Sequence, residues 1–547
     1  MRDGTRLTAS AWWPSEESGR YPTILLRSPY TRTCCTIPNL ATFYTKHGYA
    51  LVSQEVRGRG DSEGKFGFWF QEVNDGYDTV EWLAAQPWSN GRVCIIGGSY
   101  LGSTAWLAAR SHPPHLNCIA PASAGGEYFE HLPYLGGSFA LWDMLTWINM
   151  MTPSSTPGGK IDIKTMVAHR PLVTSDSAVV GRVLPLYREL LAHPTMDAYW
   201  KPISFEPADL TSIDLPVLHV TGTYDMASAS VLSLWTKMRR FSPARDRQYL
   251  ILGAWPHELT FFGGNPTADG KLEPPAFENW GSAPQTVMDM RNVYLEFFDR
   301  HLKSDGDTKP IPRARVYVTG AEEWREYDDF PPQSVGYRAL YLHSNGKANS
   351  AAGDGSATWI PPTKENPDRY VFDPRPESKP SPIMDPEDER SSVETRSDIL
   401  VYTSSVLDAS LDVIGPVEAE LYVSSDAPDT DFLVSLFDVY PDGRVRGIGA
   451  FPGVIRARYR KGFDKEVLMK PSKTERLHVK LAGVAHRFLP GHRLRVEISS
   501  SGTPLLSLNQ NTGYPAGTDT EWRVAKQTIF HSARTPSHLL LPVVVAH

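Results

Sequence analysis

Three residues of this chain have the types, order and placement needed to split an acyl bond: Ser99, Asp225 and His257. A serine hydroxyl by itself is a poor nucleophile. A histidine within reach can take its proton, and a carboxylate behind the histidine holds the imidazole tautomer and stabilises its charged form. Ser99 lies in RVCIIGGSYLGSTAW, residues 92–106. The apolar run Val93-Cys94-Ile95-Ile96 reads as a buried parallel strand, Gly97 and Gly98 permit a tight turn, and a helical pattern begins at Tyr100. The first N–H groups of that helix point at the serine oxygen, and the Tyr100 N–H is one expected donor to an oxyanion. The strict pattern is G-x-S-x-G; here the fifth position is Leu101 and the glycine follows at Gly102. Taken alone, the stretch also fits a serine in an ordinary strand–helix loop. Asp225 (in GTYD) follows the strand pattern Leu215 to Thr221 and could be a helix cap; His257 (in GAWPH) follows Arg247 to Leu252 and is one of 16 histidines. Three such placements in one chain order leave little room for the plain structural readings.

The elements that must position these residues alternate between strand and helix. Thr5 to Trp13 and Tyr21 to Arg27 read as strands expected to pair antiparallel at a sheet edge. Ile37 to His47 reads as a helix closed by Gly48, Ala50 to Gln54 as a buried strand, and Asn74 to Gln86 as an amphipathic helix. After Leu116 to Pro121 the alternation breaks. Residues from about 126 to 205 read as helical without strands, and Tyr128, Phe129, Tyr134, Phe139, Trp142 and Trp147 cluster there. The sheet resumes at Leu215, and a long helix, about Gln285 to Leu302, ends the region. The glycine-rich loop VRGRGDSEG, residues 56–64, lacks the GK[ST] ending of a phosphate loop. From about Lys309 the texture becomes short alternating segments, among them Arg313 to Val318, Ala339 to His343, Val417 to Ser424, Phe432 to Val439, Arg476 to Leu481 and Arg493 to Ser499. That is the texture of a β-sandwich or jelly roll, interrupted by a Pro- and charge-rich linker from about Pro361 to Glu394.

Strand–helix alternation predicts a doubly wound sheet, and the Ser…Asp…His order is that of α/β-hydrolases. The expected organisation is a hydrolase domain in two parts (1–125 and 206–308), a helical insertion (126–205) that reads either as a plain subdomain with aromatics in its own core or as a cap over the serine, and a β-sandwich or jelly roll (309–547). A chain of 547 residues with 41% hydrophobic and 21% charged residues is an ordinary multidomain globular protein. A net charge of -7 gives no support for nucleic-acid binding. No apolar run spans a membrane and the start lacks a signal-peptide core, so the expected location is cytoplasmic. Of the four cysteines, Cys94 and Cys118 are expected to be reduced core residues and Cys34 and Cys35 free thiols. No metal-ligand spacing is present and no cofactor is expected.

With these residues placed, the chain resembles the cocaine esterase and X-prolyl dipeptidyl peptidase family of serine hydrolases. The resemblance runs through MRDGTRL, RSPY, VRGRGDSEG, GGSYLGSTAW, HPTMDAYW (193–200), GTYD, GAWPH and FFDRHLK (297–303). It continues through DILVYTSS (398–405), APDTDF (427–432), PDGR (441–444), RARYR (456–460), PGHRLRVEISS (490–500) and NTG (511–513). The resemblance implies an α/β-hydrolase domain with a helical cap and a C-terminal jelly roll, and Ser99, Asp225 and His257 as the triad. It also implies Tyr30 as the second oxyanion donor, through its hydroxyl, beside Tyr100. Departures are visible. The family commonly has Trp where Thr223 stands. The related α-amino acid ester hydrolases carry acidic residues at the positions of Ala227 and Ser228, where they hold a substrate ammonium. The chain starts at MRDG, where relatives usually have an earlier strand, so the start is expected to be short.

The combined expectation is a serine hydrolase forming an acyl-enzyme on Ser99 from an ester with an apolar or aromatic acyl group. Trp142, Phe139 and Tyr128 are the candidate substrate-binding residues. The rival enzyme reading is an acylase or X-prolyl dipeptidyl peptidase acting on an amide; the rival from another class is a carbohydrate-binding protein with a vestigial hydrolase domain. The expected partner is a small-molecule ester or amide, with no nucleic acid and no membrane; a homodimer is compatible with the sequence.

Overall fold

The computed structural model describes the chain except residues 15–18, 34–36, 131, 153–160, 268–270, 275–282, 304–309, 376–393 and 546–547. The chain folds into two compact units. Met1–Glu127 and Lys201–Phe330 form the first, Tyr128–Trp200 and Pro331–His547 the second.

The first unit is built on a nine-stranded sheet. Its strands are β1 (Ala9–Trp12), β2 (Tyr21–Ser28), β3 (Ala50–Glu55), β4 (Ser89–Gly98), β5 (Leu116–Ala122), β6 (Val217–Tyr224), β7 (Gln248–Pro256), β8 (Ala314–Val318) and β9 (Glu323–Tyr327). They lie in the order β1-β3-β2-β4-β5-β6-β7-β8-β9. From β3 to β8 every neighbouring pair is parallel. Helices α1 (Ile37–Lys46), α2 (Glu72–Ala84), α3 (Tyr100–Arg110), α4 (Ser228–Phe241) and α5 (Met290–Leu302) accompany it. The apolar runs of β2 to β7 are buried on both faces, which is why they read as continuous rather than alternating patterns. Gly48 has φ +83 after α1, a left-handed stop that glycine adopts without strain.

Three expectations change here. Only β1 is antiparallel at that edge; β2 is an interior strand between β3 and β4, as eight consecutive buried residues require. Residues 313–318 do not open the sandwich: β8 pairs parallel with β7 and antiparallel with β9, so the hydrolase sheet runs past residue 309. Cys94 and Cys118 are bonded to each other rather than reduced. The parallel register of β4 and β5 sets them directly opposite with Cα atoms 4.8 Å apart, a pairing that strand register decides and composition cannot. Cys34 and Cys35 lie outside the described residues.

In the second unit the strands form a 13-stranded system. The long strand Leu411–Ser425 pairs antiparallel with Glu475–Phe488, shifting register between Pro416 and Glu418. It also pairs with Ala525–Ser532 at one end and with His538–Val544 nearer the other. Inward residues such as Leu421, Phe432, Val434, Leu477, Ile498 and Leu541 make one apolar core. The stretch read as a linker contains a strand, Asp368–Phe372, paired with Ala525–Ser532. The stretch read as purely helical contains a short antiparallel pair, Tyr134–Leu135 with Ser138–Phe139. Its helices Leu141–Met151 and Pro185–Ala192 follow. Among the described residues no helix is long and apolar enough to cross a membrane.

Buried charge gives this unit two testable features. Arg456, buried, makes a two-pronged pair with Asp431 at 2.9 Å on each nitrogen, while Arg458 pairs with Asp429 at 2.7 Å. Asn509 donates to both aspartates at 2.8 Å. Asp431→Ala leaves a desolvated guanidinium behind, so we expect it to destabilise the unit by about 3–5 kcal/mol, read as a loss in chemical-denaturation midpoint.

His531, also buried, lies 2.8 Å from Asp368 and 3.1 Å from Glu365. Burial opposes its protonation, but the two carboxylates outweigh it and raise its pKa above the ordinary 6.5. A raised folded-state value gives stability that is complete below pH 6.5 and is lost as pH rises through the raised value. Thermal midpoints followed from about pH 5.5 to about pH 8.5 should fall more for wild type than for His531→Gln; parallel curves would refute the assignment.

Candidate active site

Parallel strands deliver their following loops to one edge of a sheet, and sites in such sheets form at that carboxyl edge. Strand β4 ends with Gly98 opposite Ala122 of β5, and β6 and β7 end side by side with Tyr224 opposite Pro256. Ser99, Asp225 and His257 are the residues that follow β4, β6 and β7. The turn at Ser99 is strained: φ is 58° and ψ is -124° at a non-glycine residue. It is held by the Ser99 N–H donating to the Ala122 carbonyl at 2.9 Å and by the start of α3. The glycine displaced to position 102 has a packing reason. A Cβ there would come 2.7 Å from the Ala124 Cβ and 2.9 Å from the carbonyl oxygens of Ala122 and Gly97. Close seating of α3 on β4 and β5 is therefore satisfied by Gly102, with Leu101 in the position the strict pattern gives to glycine.

The side chains meet in a line. His257 Nε2 is 2.9 Å from Ser99 Oγ, and His257 Nδ1 is 2.7 Å from Asp225 Oδ1. Asp225, 1% exposed, also accepts the Ala227 N–H on Oδ1 at 2.9 Å and the Thr221 hydroxyl on Oδ2 at 2.7 Å. Burial works against its charge, yet His257 and these two donors hold its pKa below the ordinary carboxylate value. The stability this adds is present above pH 3.8 and is lost as pH falls through the lowered value. Behind the histidine, Thr260 donates to the His257 carbonyl at 3.1 Å and its hydroxyl meets that of Ser123. This arrangement can move a proton from Ser99 to His257 while Asp225 stays ionised.

Tyr100 is the first residue of α3 and is 2% exposed. Tyr30, half-buried, lies in the loop after β2; its N–H donates to Ser28 Oγ at 3.1 Å, and Arg59 Nε donates to the Pro29 carbonyl at 2.6 Å. The glycine-rich loop at 56–64 encloses a carboxylate rather than a phosphate. Glu55 accepts the Asp61 N–H at 2.8 Å and pairs with Arg32 at 2.9 Å, and a Cβ on Gly60 would sit 2.2 Å from its carboxyl carbon.

Residues 3–258 match the profile described as X-Pro dipeptidyl-peptidase (S15 family), and residues 307–540 match that of the X-Pro dipeptidyl-peptidase C-terminal non-catalytic domain. The chain is 31% identical over 581 residues to the cocaine esterase of Rhodococcus sp. (strain MB1 Bresler), covering 100% of this chain and 97% of that one. It belongs to the cocaine esterase and X-prolyl dipeptidyl peptidase family of serine hydrolases. Two solved structures are similar along almost the whole chain. One is an aminopeptidase from a marine sediment Thaumarchaeota archaeon, with TM-score 0.84, 25% identity and coverage of 100% of this chain and 95% of that one. The other, an α-amino acid ester hydrolase with TM-score 0.82, 22% identity and coverage of 99% and 95%, shares the fold. Family membership makes this chain a serine hydrolase, and its fold is the α/β-hydrolase class with a separate β-rich C-terminal part.

The candidate pocket residues lie in the second unit. Phe139 is 1% exposed between Tyr134 and Tyr187, with ring centroids at 5.3 and 5.7 Å, and Tyr128 is also buried. Trp142 keeps part of its surface and packs on the cluster of Leu433, Val454, Leu505 and Leu506. Two acidic residues of the region are neutralised. Glu127 pairs with Lys237 and accepts from Ser233 at 2.6 Å, and Glu130 pairs with Lys480 at 2.8 Å. Sequence reasoning missed Thr221, Ser123 and Thr260, which carry no motif of their own. It also passed over Arg27 and Glu72. A charged residue at the end of the apolar strand YPTILLR was the available signal.

Proposed function

We propose that this chain is a serine esterase that works through an acyl-enzyme on Ser99, with His257 as general base and acid and Asp225 orienting it. The observation that carries the reading is the unbroken line from Ser99 Oγ through the imidazole to the buried Asp225 carboxylate. In the first half-reaction His257 Nε2 takes the Ser99 proton as Oγ attacks the ester carbonyl. The negative charge that develops on the carbonyl oxygen is met by the Tyr100 N–H and the Tyr30 hydroxyl. His257 then protonates the leaving alcohol, and a water molecule repeats the sequence on the acyl-enzyme.

An ester with an apolar or aromatic acyl group is the favoured substrate class. No carboxylate occurs in the three residues after Asp225, and the two other acidic candidates from the sequence, Glu127 and Glu130, are engaged by lysines. This argues against capture of a free α-amino group there, and so against an aminopeptidase-like or X-Pro amide substrate. The test is labelling by a fluorophosphonate probe, followed by a panel pairing p-nitrophenyl esters of increasing acyl size with matched anilides and an X-Pro anilide. Ester turnover that follows Ser99 labelling supports the reading. Anilide or X-Pro anilide turnover at comparable kcat/KM would replace it with the amide reading, and no labelling would remove it.

A further inference from the structure

The observation left over from the site is a buried ion pair directly behind it. Arg27 Nη1 and Glu72 Oε2 lie 2.5 Å apart with neither side chain exposed. The Tyr100 hydroxyl donates to Glu72 Oε1 at 2.9 Å and also reaches the Phe68 carbonyl. Arg27 is steadied in turn: its Nε donates to Gln54 Oε1 at 2.9 Å, and the same oxygen accepts the Thr79 hydroxyl at 2.9 Å. Burial raises the Glu72 pKa, while Arg27 and the Tyr100 hydroxyl oppose that shift. Phe68 holds φ 60°, a backbone state that bulky residues rarely adopt.

Buried charges of this kind are a poor means of stabilising a core, since well-packed apolar side chains do as well or better. Their placement is informative. Glu72 is the first residue of α2 and Tyr100 the first of α3. Arg27 lies near the end of β2, three residues before Tyr30. The pair thus ties together the segments that carry both expected oxyanion donors. We infer that Glu72 is a positioning residue for the oxyanion site: it holds the Tyr100 side chain, and so its backbone N–H, in register with the loop carrying Tyr30. This inference rests on the acyl-transfer reading above. Displacements of a donor by a fraction of an ångström matter in such a site, because its stabilisation depends on preset geometry.

The test compares wild type, Tyr100→Phe, Glu72→Gln and the double variant. Tyr100→Phe keeps the backbone N–H and removes only the hydroxyl that Glu72 grips. The readouts are kcat and KM for a p-nitrophenyl ester, the inhibition constant of a trifluoromethyl ketone, and the thermal midpoint. The ketone reports on the oxyanion site: Ser99 Oγ adds to its carbonyl carbon, the serine proton passes to His257, and the former carbonyl oxygen becomes the anion. Each single variant should lower kcat roughly tenfold and weaken the ketone by a similar factor, with KM changed less than about twofold. The double variant should be no worse than the more affected single one. If Glu72→Gln does not fold, Tyr100→Phe decides. Wild-type kcat and ketone inhibition in Tyr100→Phe, in an enzyme whose wild type labels at Ser99, would overturn the positioning role and leave the esterase reading standing. Absence of Ser99 labelling in wild type would overturn both.

Discussion

Ser99→Ala will reduce kcat on ester substrates by on the order of 10⁶-fold, with the protein still folded. The mutation removes the nucleophile and nothing else of weight. Ser99 is at a strained turn, and alanine keeps the backbone N–H that donates to the Ala122 carbonyl. His257 keeps its bond to Asp225, so the site should stay assembled with one atom missing. A residue of turnover, about 10³–10⁴ above the uncatalysed rate, is expected from oxyanion donors acting on bound ester. The measurement is steady-state turnover with fluorophosphonate labelling and a thermal midpoint on the same preparation. Wild-type turnover by a folded Ser99→Ala protein would remove the proposed mechanism outright.

The second large effect is Asp225→Asn, for which we expect kcat lower by about 10⁴-fold. The physical reason is a tautomer. The Asp225 carboxylate accepts the proton on His257 Nδ1 at 2.7 Å, which leaves Nε2 as an acceptor facing Ser99. An asparagine amide can turn its NH₂ toward Nδ1, place the imidazole proton on Nε2, and leave no lone pair for the Ser99 proton. Its carbonyl oxygen, then in the Oδ2 position, can still accept from the Thr221 hydroxyl, while the Ala227 N–H, which bonds Oδ1, loses its acceptor. A large fall in kcat with KM nearly unchanged, in a protein that still unfolds in one cooperative thermal transition, supports the orienting role. A loss of activity that tracks a collapse of stability would show instead that Asp225 only holds the loop.

The arrangement of Ser99, His257 and Asp225 was legible because it rests on local signals. A buried strand, a two-glycine turn, a serine and a helix are contiguous in residues 92–106, and the acid and base each follow an apolar strand. The departure from the strict glycine pattern was legible only as a departure. That Gly102 answers the same crowding shows up once β5 brings Ala122 and Ala124 against α3. Several alternating strands after residue 330 were legible for the same reason, since period-two burial is written along them, as in Leu411–Ser425 and Glu475–Phe488.

What the sequence by itself determined is most of the elements of the first unit and the positions of Ser99, Asp225 and His257 after three of its strands: hydrophobic period and turn residues act over a few positions, so they can be read locally. What only the tertiary structure decided is which elements share a core and which side chains meet. Residues 314–318 have a strand pattern that suits either sheet; pairing with β7 assigns them to the first. The aromatic segment after Tyr128 looks like a helical subdomain on its own pattern, yet it forms one compact unit with the β-rich part, because burial of a ring depends on what packs over it. Cys94 faces Cys118, and Arg27 faces Glu72 across 45 residues, through strand register and helix placement. Such contacts join residues far apart in the chain, and no local period records them.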